Sequence, residues 1–180
     1  MRAVARVCLA GVLAAAVAAP ASAQESKSVA LAKELVAALN AAKLDAIAAK
    51  STSSPDVFVG ALYFPGSELL VISAKYAAPP FLVEKIGKKL YRDVYVDLNS
   101  ASVPESRVFV EDAGADGLKA KREENQPFDT YDAGGKHLMF DGDWKKQKLN
   151  EQDYMKAFAA ADEQYTQMLT ALLAEIKKGT

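Results

Sequence analysis

Residues 56–99 hold three apolar segments of strand length, and only a Pro-Gly-centred turn separates the first two. A chain with that pattern must build a sheet, because two strands so close in sequence can only return on one another. Residues 57–64 are apolar at both alternating positions: Val57, Val59, Ala61 and Tyr63 on one side, Phe58, Leu62 and Phe64 on the other. Such a strand is expected to be central and covered on both faces. Pro65-Gly66 suits a type II turn, with proline fixing φ at the first centre and Gly66 taking positive φ at the second. Residues 69–76 return in the same style until Pro79-Pro80 breaks them. Residues 81–90 read as a short helix with Leu82 and Ile86 on one side. Residues 91–98 then alternate, with Val94, Val96 and Leu98 inward and Asp93 and Asp97 outward.

The flanks supply the covering layer. Residues 25–50 read as helix, with Val29, Ala32, Leu35, Val36 and Leu39 on one face and a weaker piece over 44–49. Pro55 stops it. Residues 107–111 form a further strand with Val108 and Val110 inward. Residues 112–117 read as loop and 119–126 as a solvated run of mixed charge. Residues 128–131 and 136–140 read as short strands, and Asp141-Gly142 as a hairpin turn that would pair 144–148 back onto 136–140. Asn150 is a helix N-cap, with Glu151 and Asp153 where the helix dipole favours negative charge. Tyr154, Phe158, Ala161, Tyr165, Met168, Leu169, Leu172 and Ile176 then make one apolar stripe, which at this spacing is core. The expected fold is α+β: a mostly antiparallel sheet or partly open barrel of about six strands, with an N-terminal helix and a long C-terminal helix.

Residues 1–23 stand apart from this domain. Arg2 and Arg6 precede the apolar run 7–19, and Ala21-Ser22-Ala23 offers the small-residue pattern of a signal-peptidase site, with cleavage before Gln24. The run is short for a membrane span. No lipoprotein pattern surrounds Cys8, the one cysteine of the chain, so export to the periplasm or exterior would leave a thiol-free single domain over 24–180. The 22 Lys and Arg nearly balance the 23 Asp and Glu. That balance offers nothing to nucleic acid.

No catalytic constellation emerges. His137 is the only histidine, which with no cysteine in the exported domain removes the usual zinc ligand sets. No Gly-x-Ser-x-Gly elbow accompanies it. Neither 112–116 nor 141–143 has the alternating oxygen ligands of a calcium loop. No metal and no cofactor is expected from the residues themselves. The polar residues worth weighing cluster around the third strand. Lys85, Lys88, Lys89 and Arg92 could hold a phosphate or carboxylate. Tyr91 and Tyr95 share the outward side with Asp93, where a helix is expected to cover them.

The order of strand 68–76, helix 81–90 and strand 91–98 resembles the FMN-binding split-barrel family of pyridoxamine-phosphate-oxidase-like proteins, over residues 57–111. The resemblance implies FMN as cofactor, a homodimer, and a phosphate site of Ser, Arg and Lys after the first of these strands. Where that run would stand the chain has Ala77, Ala78, Pro79 and Pro80, so Ser73, Lys75 and Lys85 are the stand-ins. The expected ligand site is therefore Ser73, Lys75, Lys85, Lys88, Lys89, Tyr91, Arg92 and Tyr95. The leading expectation is an exported, non-catalytic domain that binds a small ligand or an envelope protein. A flavin-binding split-barrel oxidoreductase is the alternative.

Overall fold

Seven antiparallel strands follow one another across one open sheet in chain order, so every connection is a simple return with no crossover. They are β1 (Ala49–Lys50), β2 (Phe58–Phe64), β3 (Leu69–Ala77), β4 (Leu90–Leu98), β5 (Val108–Ala113), β6 (Thr130–Ala133) and β7 (Lys136–Met139). Helix α1 (Ser28–Ala41) precedes the sheet and α2 (Glu151–Gly179) follows it. This computed structural model describes residues 26–41, 49–50 (backbone only), 57–78, 82–83, 90–99, 107–122 and 126–179. The expected export segment 1–23 lies outside the described residues. So do Lys85, Lys88 and Lys89 and most of the expected helix 81–90, of which Leu82 and Val83 are described as helical.

Register explains which side chains form the core. Leu62, Val71, Val96, Val110, Tyr131 and Leu138 lie in one row across β2 to β7 and share a face. Both helices pack on that face, around Ala32, Leu35 and Leu39 of α1 and the whole expected stripe of α2. Full burial of a leucine such as Leu169 or Leu172 contributes about 2 kcal/mol. Asn150 caps α2 as its sequence requires, its Oδ1 accepting the Asp153 N–H at 2.8 Å.

The opposite face carries Val59, Tyr63, Ile72, Tyr76, Tyr91, Tyr95 and Phe109, and no described helix covers it. β2 is thus covered on one side, with Val59 and Tyr63 exposed. Asp93 and Asp97 point to this face as the alternation predicts, yet both are buried. Tyr76 donates to Asp93 Oδ2 at 2.5 Å and the Gly114 N–H to Oδ1 at 3.0 Å, while Arg107 folds over Asp97 with Nε 2.9 Å from Oδ2.

The described strands form an open sheet, one of the two forms expected. Other expectations are corrected. The N-terminal helix ends at Ala41, and Ala49–Lys50 pairs with Phe58–Val59 as an edge strand. Gly66 is not left-handed. Glu68 is (φ 52), because the loop closes through Ser67 N–H to Phe64 and Glu68 N–H to Pro65. β5 runs two residues past Glu111, and β6 occupies Thr130–Ala133 instead of 128–131. Residues 144–148 do not pair back on β7. They coil into turns, with Gln147 N–H and Leu149 N–H both donating to the Trp144 carbonyl. The Gln147 side chain takes the place of a strand instead: its Oε1 accepts the Met139 N–H at 3.1 Å and its Nε2 donates to the Met139 carbonyl at 2.6 Å. That satisfies part of an edge that would otherwise invite pairing.

Candidate functional site

The end of β3 and the start of β4 meet at one end of the sheet, and a cleft of about 410 Å³ opens there. Its walls are the C-terminal half of α1 (Val36, Asn40), the β3 and β4 ends (Lys75, Leu90, Tyr91, Arg92), Leu82, and the segment 113–129 that leaves β5. Cross-strand register places Lys75 opposite Arg92 on the helix-covered face. Two like charges so placed repel. Arg92 is only 8% exposed, and its guanidinium is oriented by two neutral acceptors, Ser73 Oγ and Asn40 Oδ1, the latter at 3.1 Å.

The described residues 113–122 and 126–129 are held in place by carboxylates that accept backbone N–H groups. Asp112 takes those of Asp116 and Gly117 and the hydroxyl of Tyr165 on α2. Asp129 takes those of Ala113 at 2.9 Å and Lys119 at 2.7 Å. Leu118 N–H donates to Ser28 Oγ at the start of α1, and Tyr154 on α2 donates to the Ala120 carbonyl. On the mouth side, Lys119 pairs with Asp116 at 2.6 Å and Arg122 lies over the Phe128 ring, 5.4 Å from its centroid. Four cations and two carboxylates therefore line the cleft among the described residues.

Burial sets the protonation of these groups. It raises Asp112 to about 6 against the hydrogen bonds that favour its anion. It raises Asp129 well above the ordinary carboxylate range, with the nearby Asp112 charge adding to the rise. Burial also raises Tyr91 and Tyr76, Asp93 contributing in both cases. For a carboxyl raised in the folded state, the folded chain binds the extra proton between about pH 4 and its folded pKa. Stability is therefore greatest below about pH 4 and falls as pH rises through about 6. The Asp112 shift alone corresponds to roughly 3 kcal/mol. Thermal melts from pH 5 to 7.5 should show this downward slope, and Asp129→Asn should flatten it whatever its absolute stability. A variant slope equal to the parent's would mean that Asp129 ionises at its ordinary value.

Of the residues expected from the sequence, Lys75, Tyr91 and Arg92 line the cleft, and Ser73 stands behind Arg92 as its acceptor. Tyr95 does not line it. Its ring stacks on Phe109 at 6.0 Å, farther along the uncovered face. Asn40, Asp116, Lys119, Arg122, Phe128 and Asp129 complete the site and were not singled out by the sequence pattern. His137 is exposed and bonded to Asp132 at 2.8 Å. Asp141 accepts the Asp143 N–H at 2.8 Å as a turn residue. Among the described residues no group of three His, Cys, Asp or Glu is placed to hold a metal ion, and no described helix is long and apolar enough to cross a membrane.

Comparison with family models, with curated proteins and with solved structures finds no match to this chain.

Proposed function

We propose that this chain is an exported binding module whose cleft at the β3–β4 end takes a small anion. The observation that carries the reading is the cleft's lining, in which Lys75, Arg92, Lys119 and Arg122 outnumber the carboxylates Asp116 and Asp129. An anion seated there gains charge-assisted hydrogen bonds. The export pattern of residues 1–23 supports a role outside the cytoplasm. A cavity of 410 Å³ falls in the range that binds small molecules, not macromolecular surfaces.

The test is thermal unfolding of the full chain with inorganic phosphate, citrate, short and medium-chain carboxylates, and FMN. At least one anion should raise the melting temperature with the logarithm of its concentration, by the equivalent of about 1.4 kcal/mol at a tenfold excess over its dissociation constant. Arg122→Glu, a surface change at the mouth, should reduce that rise. No such rise with any anion removes the reading. A rise confined to FMN favours the flavin alternative, for which Ser73, Lys75 and Lys85 are the stand-ins for the phosphate ligands.

A further inference from the structure

Gly114 leaves a gap in the cleft lining that two polar groups flank. A carbon added at its α position would meet the Tyr91 hydroxyl at 3.1 Å and Asp116 Oδ1 at 3.6 Å. Gly114 has no side chain to fill that space, and its φ of +98 disfavours one. All three residues line the cleft. The Tyr91 ring is braced edge-on by Tyr76, with centroids 5.3 Å apart, and Gly114 is pinned by its N–H on Asp93 Oδ1. Yet the Tyr91 hydroxyl itself has no hydrogen-bond partner among the described residues. Burial pushes its ionisation up, so it stays a neutral group that can both donate and accept. Asp116 Oδ1 accepts from Lys119 Nζ at 2.6 Å, and a carboxylate oxygen has room for a second donor.

We propose that the space over Gly114 is a hydroxyl subsite, and that the cleft's ligand is a sugar-like anion, one hydroxyl of which accepts from Tyr91 and donates to Asp116. The proposal rests on the anion reading for the ligand's acidic group, while the subsite itself involves neither Lys75 nor Arg92. Elimination selects the hydroxyl. A carbonyl could accept from Tyr91, but its oxygen would face the Asp116 carboxylate with nothing to donate. An ammonium would suit Asp116, but it would enter a lining in which cations already outnumber carboxylates. A hydroxyl meets both groups through one atom. Both groups are also set in advance: Tyr76 braces Tyr91, and the Asp116 N–H is tied to Asp112 Oδ1 at 3.0 Å, so little ordering cost falls on binding. A cavity of 410 Å³ admits a ligand of monosaccharide size. Either a carboxylate or a phosphate can serve as the acidic group, and the experiment tells them apart.

Calorimetric titration of the full chain separates the outcomes. The probes are D-glucuronate and glucose 6-phosphate, their bare counterparts hexanoate and inorganic phosphate, and neutral D-glucose. At least one sugar anion should bind about tenfold or more tightly than its bare counterpart and than glucose, and which one does so identifies the acidic group. Tyr91→Phe should weaken that sugar anion by about fivefold, the worth of one neutral hydrogen bond, and leave the bare anion unchanged. The melting temperature of the ligand-free variant should stay at the parent's, since the lost hydroxyl bonds to no described residue. Bare anions that bind as tightly as the sugar anions overturn the subsite and leave the anion site standing. Glucose that binds as tightly as the sugar anions overturns the acidic group and the anion reading with it. A sugar anion indifferent to Tyr91→Phe lies elsewhere, and a ligand-free variant that melts well below the parent gives the hydroxyl a structural bond; either result overturns the subsite. Binding by neither sugar anion overturns the proposal, and binding of hexanoate or phosphate then decides whether the anion reading survives.

Discussion

Gly117→Ala is expected to destabilise the fold by about 3 kcal/mol or more, a large share of the 5 to 15 kcal/mol typical of a domain. Two independent causes act at this one position. Gly117 has φ +91, where an L side chain is strained. A Cβ built there would also lie 2.6 Å from Val29 Cα and 2.7 Å from Val29 N, the backbone of the first turn of α1. That turn has little freedom to retreat, since Asp162 accepts its N–H groups and Ser28 Oγ holds Leu118. Gly135→Ala in the β6–β7 turn is the control: φ is +72, and nothing lies within 4 Å of the added carbon. It should cost only the backbone strain, about 1 kcal/mol. Urea unfolding of both variants measures the difference. Equal losses would show that backbone strain alone matters and that the close approach to α1 does not.

The contrast between those two glycines also marks what could be read from the sequence. Alternation and helical stripes foretold β2 to β7, both helices and the helix-covered face, though neither β1 nor the open second face of β2, because they express a period that burial must follow. Asp141-Gly142 was the misleading signal: its turn is real, but Gln147 satisfies Met139 through a side chain, and no pattern of apolar residues foretells that. At the site, Lys75, Tyr91 and Arg92 were legible because they sit at the ends of clearly patterned strands. The other wall was not. Residues 112–117 look like a loop and 119–126 like a solvated run of mixed charge, yet Asp112, and Asp129 just beyond, are buried and organise the described part of it by accepting backbone N–H groups. A side-chain to backbone bond that closes a loop leaves no period in sequence. Its one trace is the Asp-x-x-x-x-Gly spacing from Asp112 to Gly117, where the carboxylate meets the amide of a glycine that must be left-handed.

Asp162→Ala should be nearly as damaging as Gly117→Ala, for a reason that lies on the other side of the same contact. Asp162 sits midway along α2 and is buried, and it caps a different helix: Oδ1 accepts the Ser26 hydroxyl at 2.5 Å and the Ser28 N–H at 3.2 Å, and Oδ2 the Lys27 N–H at 2.7 Å. The start of α1 offers N–H groups that no helical carbonyl can satisfy. It has no acidic residue of its own in the first turn, so the charge comes from α2. Removing it strands three donors in a largely buried place, at a cost of about 3 kcal/mol. Asp162→Asn keeps one acceptor oxygen and should lose roughly half as much. The damage should travel, because Ser28 Oγ is also the acceptor for Leu118 N–H in the cleft-lining segment. Amide exchange at Leu118 should therefore quicken in Asp162→Ala under conditions where the sheet core around Val71 and Val96 stays protected. If Leu118 exchanges no faster than those core amides, α1 and the cleft wall are fastened independently, and the coupling between the cap and the site is absent.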